Sequence, residues 1–248
     1  MNSNMNINDT TNENINQIIS LKMIPELETL QKVNIIQEVE CIDCCCYCCT
    51  QNKYGIIDPL TEQKIFDLKE NSFCLERCCC FSCRGFMMKI NNTGGNIRNT
   101  YDGEKGCSLP CLLGNGCGQP SIKVTLTSPN NKFLGSVKMD YDNCCFSLCS
   151  HKIVIRNEKK EIKYHIQRNF YCIGCYCGFF PKCCDVLYTI YQGSQALGEV
   201  KKLKCSSCYT FCPKGDNYSI IFPPNASVEE KFLIIIGAIL LDYISFYA

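Results

Sequence analysis

The sequence contains no tryptophan and two histidines, His151 and His165, and its charges nearly cancel: 25 Lys and Arg against 24 Asp and Glu, a formal net charge of +1. Neither histidine sits in a pattern of Ser, Cys and Asp that would build a nucleophilic triad, which argues against hydrolytic chemistry of that kind. There is no Gly-rich phosphate loop, no His-Glu-x-x-His and no pair of acids with a clear catalytic role; Thr93-Gly94-Gly95 reads as a turn. A near-neutral chain with a charged fraction of 20% is a poor nucleic-acid partner, because such affinity rests on many phosphate contacts. An export signal is lacking too. Residues 1–20 carry seven Asn and no apolar h-region or basic n-region, so they read as a disordered tail on a cytosolic-side protein.

What is abundant is cysteine, 25 residues in a chain of 248. On the cytosolic side these thiols stay reduced, so a disulfide framework is not expected, and the odd count leaves one thiol over in any case. Three uses remain. Cys41/Cys44, Cys80/Cys83, Cys172/Cys175 and Cys205/Cys208 have the Cys-x2-Cys spacing that suits zinc, although the runs of adjacent Cys are irregular. The clusters Cys44-Cys45-Cys46-Tyr47-Cys48-Cys49 and Cys78-Cys79-Cys80-Phe81-Ser82-Cys83, with apolar and aromatic neighbours, suit S-acylation. The third use is as small buried hydrophobes along strands.

The chain is long enough for one large domain or two small ones, and to bury a sizeable core of its own. Residues 21–39 read equally as helix or strand, since Leu27, Leu30, Val33, Ile36 and Val39 recur at near-helical spacing while Val33-Asn34-Ile35-Ile36 is strand-like. Ten extended runs follow: residues 53–57, 63–68, 86–90, 122–126, 134–139, 152–156, 162–167, 185–190, 196–203 and 218–222. Turn residues such as Asp58-Pro59, Ser128-Pro129-Asn130 and Gln192-Gly193-Ser194 separate them. No gap holds a crossover helix, so an antiparallel barrel or sandwich is predicted. Leu134-Gly135-Ser136-Val137-Lys138 recurs as Leu197-Gly198-Glu199-Val200-Lys201, each followed by cysteines, which suggests two halves of one barrel.

The β pattern breaks at the end. Phe232 to Leu241 is an uninterrupted apolar run, preceded by Ser227 and Glu230 at capping-box spacing, which predicts a helix over about 228–247. Phe232, Ile236 and Leu240 mark its apolar body, and Asp242 follows within it. Such a helix is either a short membrane anchor or a core element surrounded by a barrel. The core reading is preferred, because Asp242 has no obvious charged partner in lipid.

Several pieces resemble the phospholipid scramblase family. They are Arg84-Gly85-Phe86-Met87-Met88-Lys89-Ile90, with Gly85 where that family usually has proline, then Leu134-Gly135-Ser136-Val137, Lys152 to Glu158, Cys172-Ile173-Gly174-Cys175, Cys183-Cys184-Asp185-Val186 and Leu197 to Lys202. Gly215 to Pro223 and the helix ending Leu240-Leu241-Asp242-Tyr243 complete the order, over about residues 52–247. The resemblance implies a mostly β fold: a single closed antiparallel barrel of about 12 strands, tubby-like, wrapped around the hydrophobic C-terminal helix and spanning residues 21–248. It implies calcium-responsive movement of phospholipids between leaflets and palmitoylated cysteines at the cytosolic face of a membrane, the plasma membrane. The family's palmitoylated cluster matches Cys107, Cys111 and Cys117, and Cys78, Cys79 and Cys80 are further acylation candidates. Its calcium loop matches residues 214–225, where Asp216 and Asn225 supply oxygens while Lys214 at the first position would repel the ion. The alternative is a lipid-anchored scaffold of the same fold that holds a membrane lipid or a protein partner without transport. Zinc remains the lesser cofactor expectation beside calcium.

Overall fold

The structure, a computed structural model, describes residues 25–38, 51–72, 86–92, 100–105, 121–126, 133–140, 152–168, 186–203 and 217–245. A short helix α1 (Pro25–Thr29) leads into twelve strands: β1 (Lys32–Glu38), β2 (Lys53–Ile57), β3 (Lys64–Asn71), β4 (Phe86–Asn92), β5 (Thr100–Lys105) and β6 (Ser121–Leu126), then β7 (Phe133–Asp140), β8 (Lys152–Asn157), β9 (Ile162–Arg168), β10 (Val186–Gln192), β11 (Gln195–Leu203) and β12 (Asn217–Ile221). Helix α2 (Val228–Ser245) ends the described chain. Each strand pairs antiparallel with its neighbours in sequence, and β1 also pairs with β12, from Lys32 opposite Ile221 to Ile36 opposite Asn217, so the ring closes.

Alternation along the strands sets the interior. In β1, Val33, Ile35 and Gln37 are buried while Lys32, Ile36 and Glu38 are exposed, the period of two that puts alternate side chains on opposite faces. Val33, Ile56, Phe66, Leu68, Met88, Ile90, Val137, Ile155, Ile166, Val200 and Ile220 share one core with the helix. Every residue of α2 from Lys231 to Leu241 apart from Gly237 is named among the buried residues, and the run is buried throughout. A helix that is apolar on all sides needs such an enclosure. Its start is capped as the spacing predicts: the Glu230 N–H donates to Ser227 Oγ at 3.3 Å, and the Ser227 N–H donates to Glu230 Oε2 at 3.1 Å. Phe232 packs edge-on against Phe66, with ring centroids 5.9 Å apart.

The fold expected from the residues needs correction in four respects. The ten extended runs are two strands short. One missing strand is β1, where helical and strand spacing competed; the other is β5, Thr-Tyr-Asp-Gly-Glu-Lys. The latter has little intrinsic strand preference and is extended because β4 and β6 both pair with it. Secondly, the architecture holds two helices among the described residues rather than the terminal one alone, and neither is long and apolar enough to cross a membrane. Helix α2 is described from Val228 to Ser245, and the last two residues of its expected span lie outside the described residues. Thirdly, the Leu-Gly-x-Val-Lys echo falls on β7 and β11, four strands apart in the ring, whereas two halves of twelve strands would lie six apart. Fourthly, no described strand contains a cysteine, so cysteine as a small hydrophobe along these strands is set aside.

The echo has a steric cause in both places. A Cβ on Gly135 would collide with the Arg156 carbonyl oxygen and come within 2.6 Å of Leu233 Cδ1 on α2. A Cβ on Gly198 would lie 2.5 Å from the Ile221 carbonyl oxygen and 3.2 Å from Pro223 Cδ. Gly135→Ala and Gly198→Ala are each expected to destabilise by about 1–3 kcal/mol, the usual cost of forcing a methyl into a packed site. Urea unfolding checks this: midpoints equal to that of the unsubstituted protein would remove the steric account.

Candidate functional site

In an up-and-down ring, successive connections alternate between the two ends. At one end lie residues 58–63, 93–99, 127–132, 158–161 and 193–194, with α1 and the start of α2. Residues 39–52, 72–85, 106–120, 141–151, 169–185 and 204–216 join strands at the other end. All 25 cysteines fall in those six stretches, in every one of them, and in none of the connections at the first end. The cysteines themselves lie outside the described residues, including the zinc-spaced pairs and the acylation candidates Cys78, Cys79, Cys80, Cys107, Cys111 and Cys117.

The first end is closed by a buried cation. Lys231, 2% exposed, donates from Nζ to the carbonyl oxygens of Leu27, Glu28 and Leu30 at 3.0, 2.9 and 2.8 Å. These are carbonyls at the end of α1, which a helix of one turn leaves without partners of its own. Burial lowers the Lys231 pKa, and the nearby Glu28 carboxylate opposes that shift. Beside it, the Tyr164 hydroxyl donates to Glu230 Oε2 at 3.1 Å, and burial followed by the Glu230 charge raises the phenol's pKa.

The cysteine-side mouth has a polar layer instead. Asp242, 1% exposed, accepts from the Tyr54 hydroxyl at 2.6 Å and from the Tyr218 hydroxyl at 3.2 Å. Glu70 is fully buried and accepts from the Ser72 hydroxyl at 2.5 Å and from the Asn52 N–H at 3.4 Å. Gln37 donates its side-chain amide to Asn52 Oδ1 at 3.3 Å and its backbone N–H to Asn217 Oδ1 at 3.3 Å. Lys202 lies 6.0 Å from the Tyr218 ring centroid. Arg168, two residues beyond the buried Ile166, keeps its Nε buried with no hydrogen-bond partner.

These positions clarify the residues singled out from the sequence. Phe232, Ile236 and Leu240 are buried filling of the barrel. Asp242 does find partners, which among the described residues include two phenols, and no sequence spacing points to Tyr54 or Tyr218, which lie 188 and 24 residues away. In the calcium-loop stretch, Asp216 lies outside the described residues and Asn225 is exposed in the turn before α2, with β12 running as a strand between them. Among the described residues no group of three His, Cys, Asp or Glu side chains could hold a metal ion. His165 stacks on Tyr191 at 5.1 Å between centroids, and burial and then the Lys152 charge lower its pKa.

Comparison with known proteins points in one direction. The model of the Scramblase family matches residues 11–248. Phospholipid scramblase 2 of Bos taurus is 25% identical over 230 residues, which cover 90% of this chain and 71% of that protein. Phospholipid scramblase 1 of Homo sapiens is 26% identical over 230 residues, 90% of this chain and 66% of that protein. Phospholipid scramblase family member 5 of Homo sapiens is 24% identical over 235 residues, 92% of this chain and 79% of that protein. The chain thus spans roughly two thirds to four fifths of these relatives. No solved structure matches.

The phenol–carboxylate contacts give a stability test. Tyr54→Phe deletes the 2.6 Å bond to a buried carboxylate, and loss of a hydrogen bond to a charged group costs about 1.5–3 kcal/mol. Tyr218→Phe, whose bond is 3.2 Å long, is expected to cost less. Urea midpoints in which the two variants rank in reverse, or neither moves, would contradict the weight given to this carboxylate.

Proposed function

This chain belongs to the scramblase family, and we propose that it is a membrane-associated, scramblase-like protein that moves phospholipids between leaflets from the cytosolic face. The family match over residues 11–248 is the observation that carries this reading. The gathering of every cysteine-bearing connection at one end supports a particular attachment. Acyl chains on Cys107, Cys111 and Cys117, between β5 and β6, and on Cys78, Cys79 and Cys80, between β3 and β4, would enter the bilayer on the same side of the barrel. Stable anchoring takes two such signals, since one chain alone binds marginally.

The filled interior limits how lipid could move. Helix α2 occupies the space inside the ring from Lys231 to Asp242, so a head group has no path through the barrel and must use the outer wall, the cysteine-side mouth or a surface between copies. That same observation favours the second reading, a lipid-anchored scaffold of this fold that holds a membrane lipid or a protein partner without flipping anything.

Purified protein in liposomes containing a fluorescent phospholipid, read with a quencher confined to the outer leaflet, separates the two. Exchange predicts quenching beyond the outer-leaflet fraction, and running the assay with and without calcium tests whether that ion triggers it. Quenching no greater than in protein-free vesicles under both conditions would leave the scaffold reading. For attachment, hydroxylamine is expected to release the protein from cell membranes, as is joint replacement of Cys78, Cys79, Cys80, Cys107, Cys111 and Cys117 by Ala. Undiminished membrane retention after both treatments would exclude acylation of these thiols as the anchor.

A further inference from the structure

Two polar side chains point into the cysteine-side mouth without a hydrogen bond between them and the rest of the protein. On β9 the buried Tyr164 and Ile166 alternate with half-buried residues, so Arg168, two positions further, belongs to the inward face. Its Nε is buried and has no hydrogen-bond partner. Tyr188 on β10 is directly opposite Arg168 in the register, which sets their Cβ atoms about 4.5–5.5 Å apart on one face. Tyr188 is 3% exposed and belongs to the core. Among the described residues its hydroxyl, like the Arg168 guanidinium, makes no hydrogen bond.

The described acids do not serve this pair. Glu199 is the one described acid on β8 to β11, and it alternates with the buried Val200, so it faces outward. Asp242 accepts from Tyr54 and Tyr218, and Glu70, on β3, stands half-way round the ring from β9. Among the described residues no carboxylate lies within ion-pair distance of Arg168. Lys202, inward on β11 opposite Val186 and Tyr218, adds positive charge to the same mouth while its ammonium sits 6.0 Å from the Tyr218 ring centroid. A partly buried guanidinium whose Nε is cut off from water and unpaired costs free energy, and an oxyanion removes that cost.

We propose that Arg168 and Tyr188 form a phosphate-binding position at the cysteine-side mouth, and that it takes the phosphate of a phospholipid head group. The guanidinium fork matches two phosphate oxygens, and the phenol O–H supplies a further donor. Both groups donate, which suits an anion and not a metal ion. The choice of a lipid head group deepens the function proposed above and rests on it. Arg168 ends β9 on the side where the cysteine-bearing connections lie, the side that acyl chains would hold against a bilayer. With the barrel filled by α2, a position at the mouth is where a head group can meet inward-facing donors without passing through the core.

Full-length protein is titrated calorimetrically with dihexanoylphosphatidylglycerol below its micelle concentration, with dihexanoylglycerol, which lacks the phosphate, and with inorganic phosphate. The phosphate-bearing lipid is expected to bind and dihexanoylglycerol not to. Arg168→Met is expected to weaken binding about 10–100-fold and Tyr188→Phe about 3–10-fold, the usual weights of a charged and a neutral hydrogen bond. Lys163→Gln removes a charge from the outward face of the same strand and is expected to stay within about two-fold. Without ligand, the urea midpoint of Arg168→Met is expected to be no lower than that of the unsubstituted protein, because the arginine loses no partner; the lipid then raises the midpoint of the unsubstituted protein alone. Should Arg168→Met misfold, Tyr188→Phe, which removes only the hydroxyl, carries the same test. Equal binding by Arg168→Met and Lys163→Gln overturns the proposal, as does a lowered ligand-free midpoint with no phosphate binding, which assigns Arg168 to an acid of the chain itself. Inorganic phosphate binding as tightly as the lipid keeps the position and overturns the head group as its ligand. Lipid exchange with no phosphate binding overturns this site and spares the family function; Arg168-dependent binding without exchange does the reverse.

Discussion

Helix α2 has no exposed face from Lys231 to Asp242, and everything else in the molecule is arranged around the need to keep it from water. Inward-facing Val, Ile, Leu, Phe and Met side chains of the strands form its lining, and each such side chain kept from water contributes about 1.5–3 kcal/mol. The helix also carries a charge near each end, and both have the sign that its own dipole disfavours: Lys231 in the first turn and Asp242 in the last. Helix energetics alone would not select them. Their partners explain them: two α1 carbonyls and that of Leu30 just after the helix receive Lys231, and two strand phenols donate to Asp242. The two residues act as stops that fix how far the helix sits along the barrel, since moving it by one turn would bury an unpaired charge at either mouth.

Because those stops differ, the two ends of the barrel differ. One is sealed by a one-turn helix and joined by connections as short as Gly193-Ser194. At the other, the interior is polar, with Gln37, Asn52, Glu70 and Asp242 in hydrogen-bonded contact with their neighbours, and the outer connections hold all the cysteines. An even number of antiparallel strands makes this segregation topologically simple, since every second connection returns to the same end. Chemistry placed in alternate connections is thereby collected on one side of the molecule.

Much of the strand pattern was legible in the residues. Lys53–Ile57 is read with its observed bounds, because Tyr and Ile flanked by Asp58-Pro59 leave little ambiguity. The terminal helix and its capping box were equally plain, since Ser227 and Glu230 interact locally. Thr100–Lys105 was not legible, because its extended state comes from partners on both sides rather than from its composition. The Tyr54–Asp242–Tyr218 contacts were hidden for a related reason: they depend on how strands and helix are set against each other, which brings distant positions together without leaving any short-range spacing signal.

Cysteine abundance acquires a different meaning once register and topology are known. Spread through strands, thiols would serve packing, and the described strands contain none. Carried in alternate connections, they lie in stretches that join strands at one end of a filled body. A filled body cannot conduct a lipid through its centre, so whatever it does to a bilayer it does from its surface, and surface action demands a fixed orientation. Acyl chains on the thiols would tether without specifying which wall lies down, because a chain is flexible about its thiol.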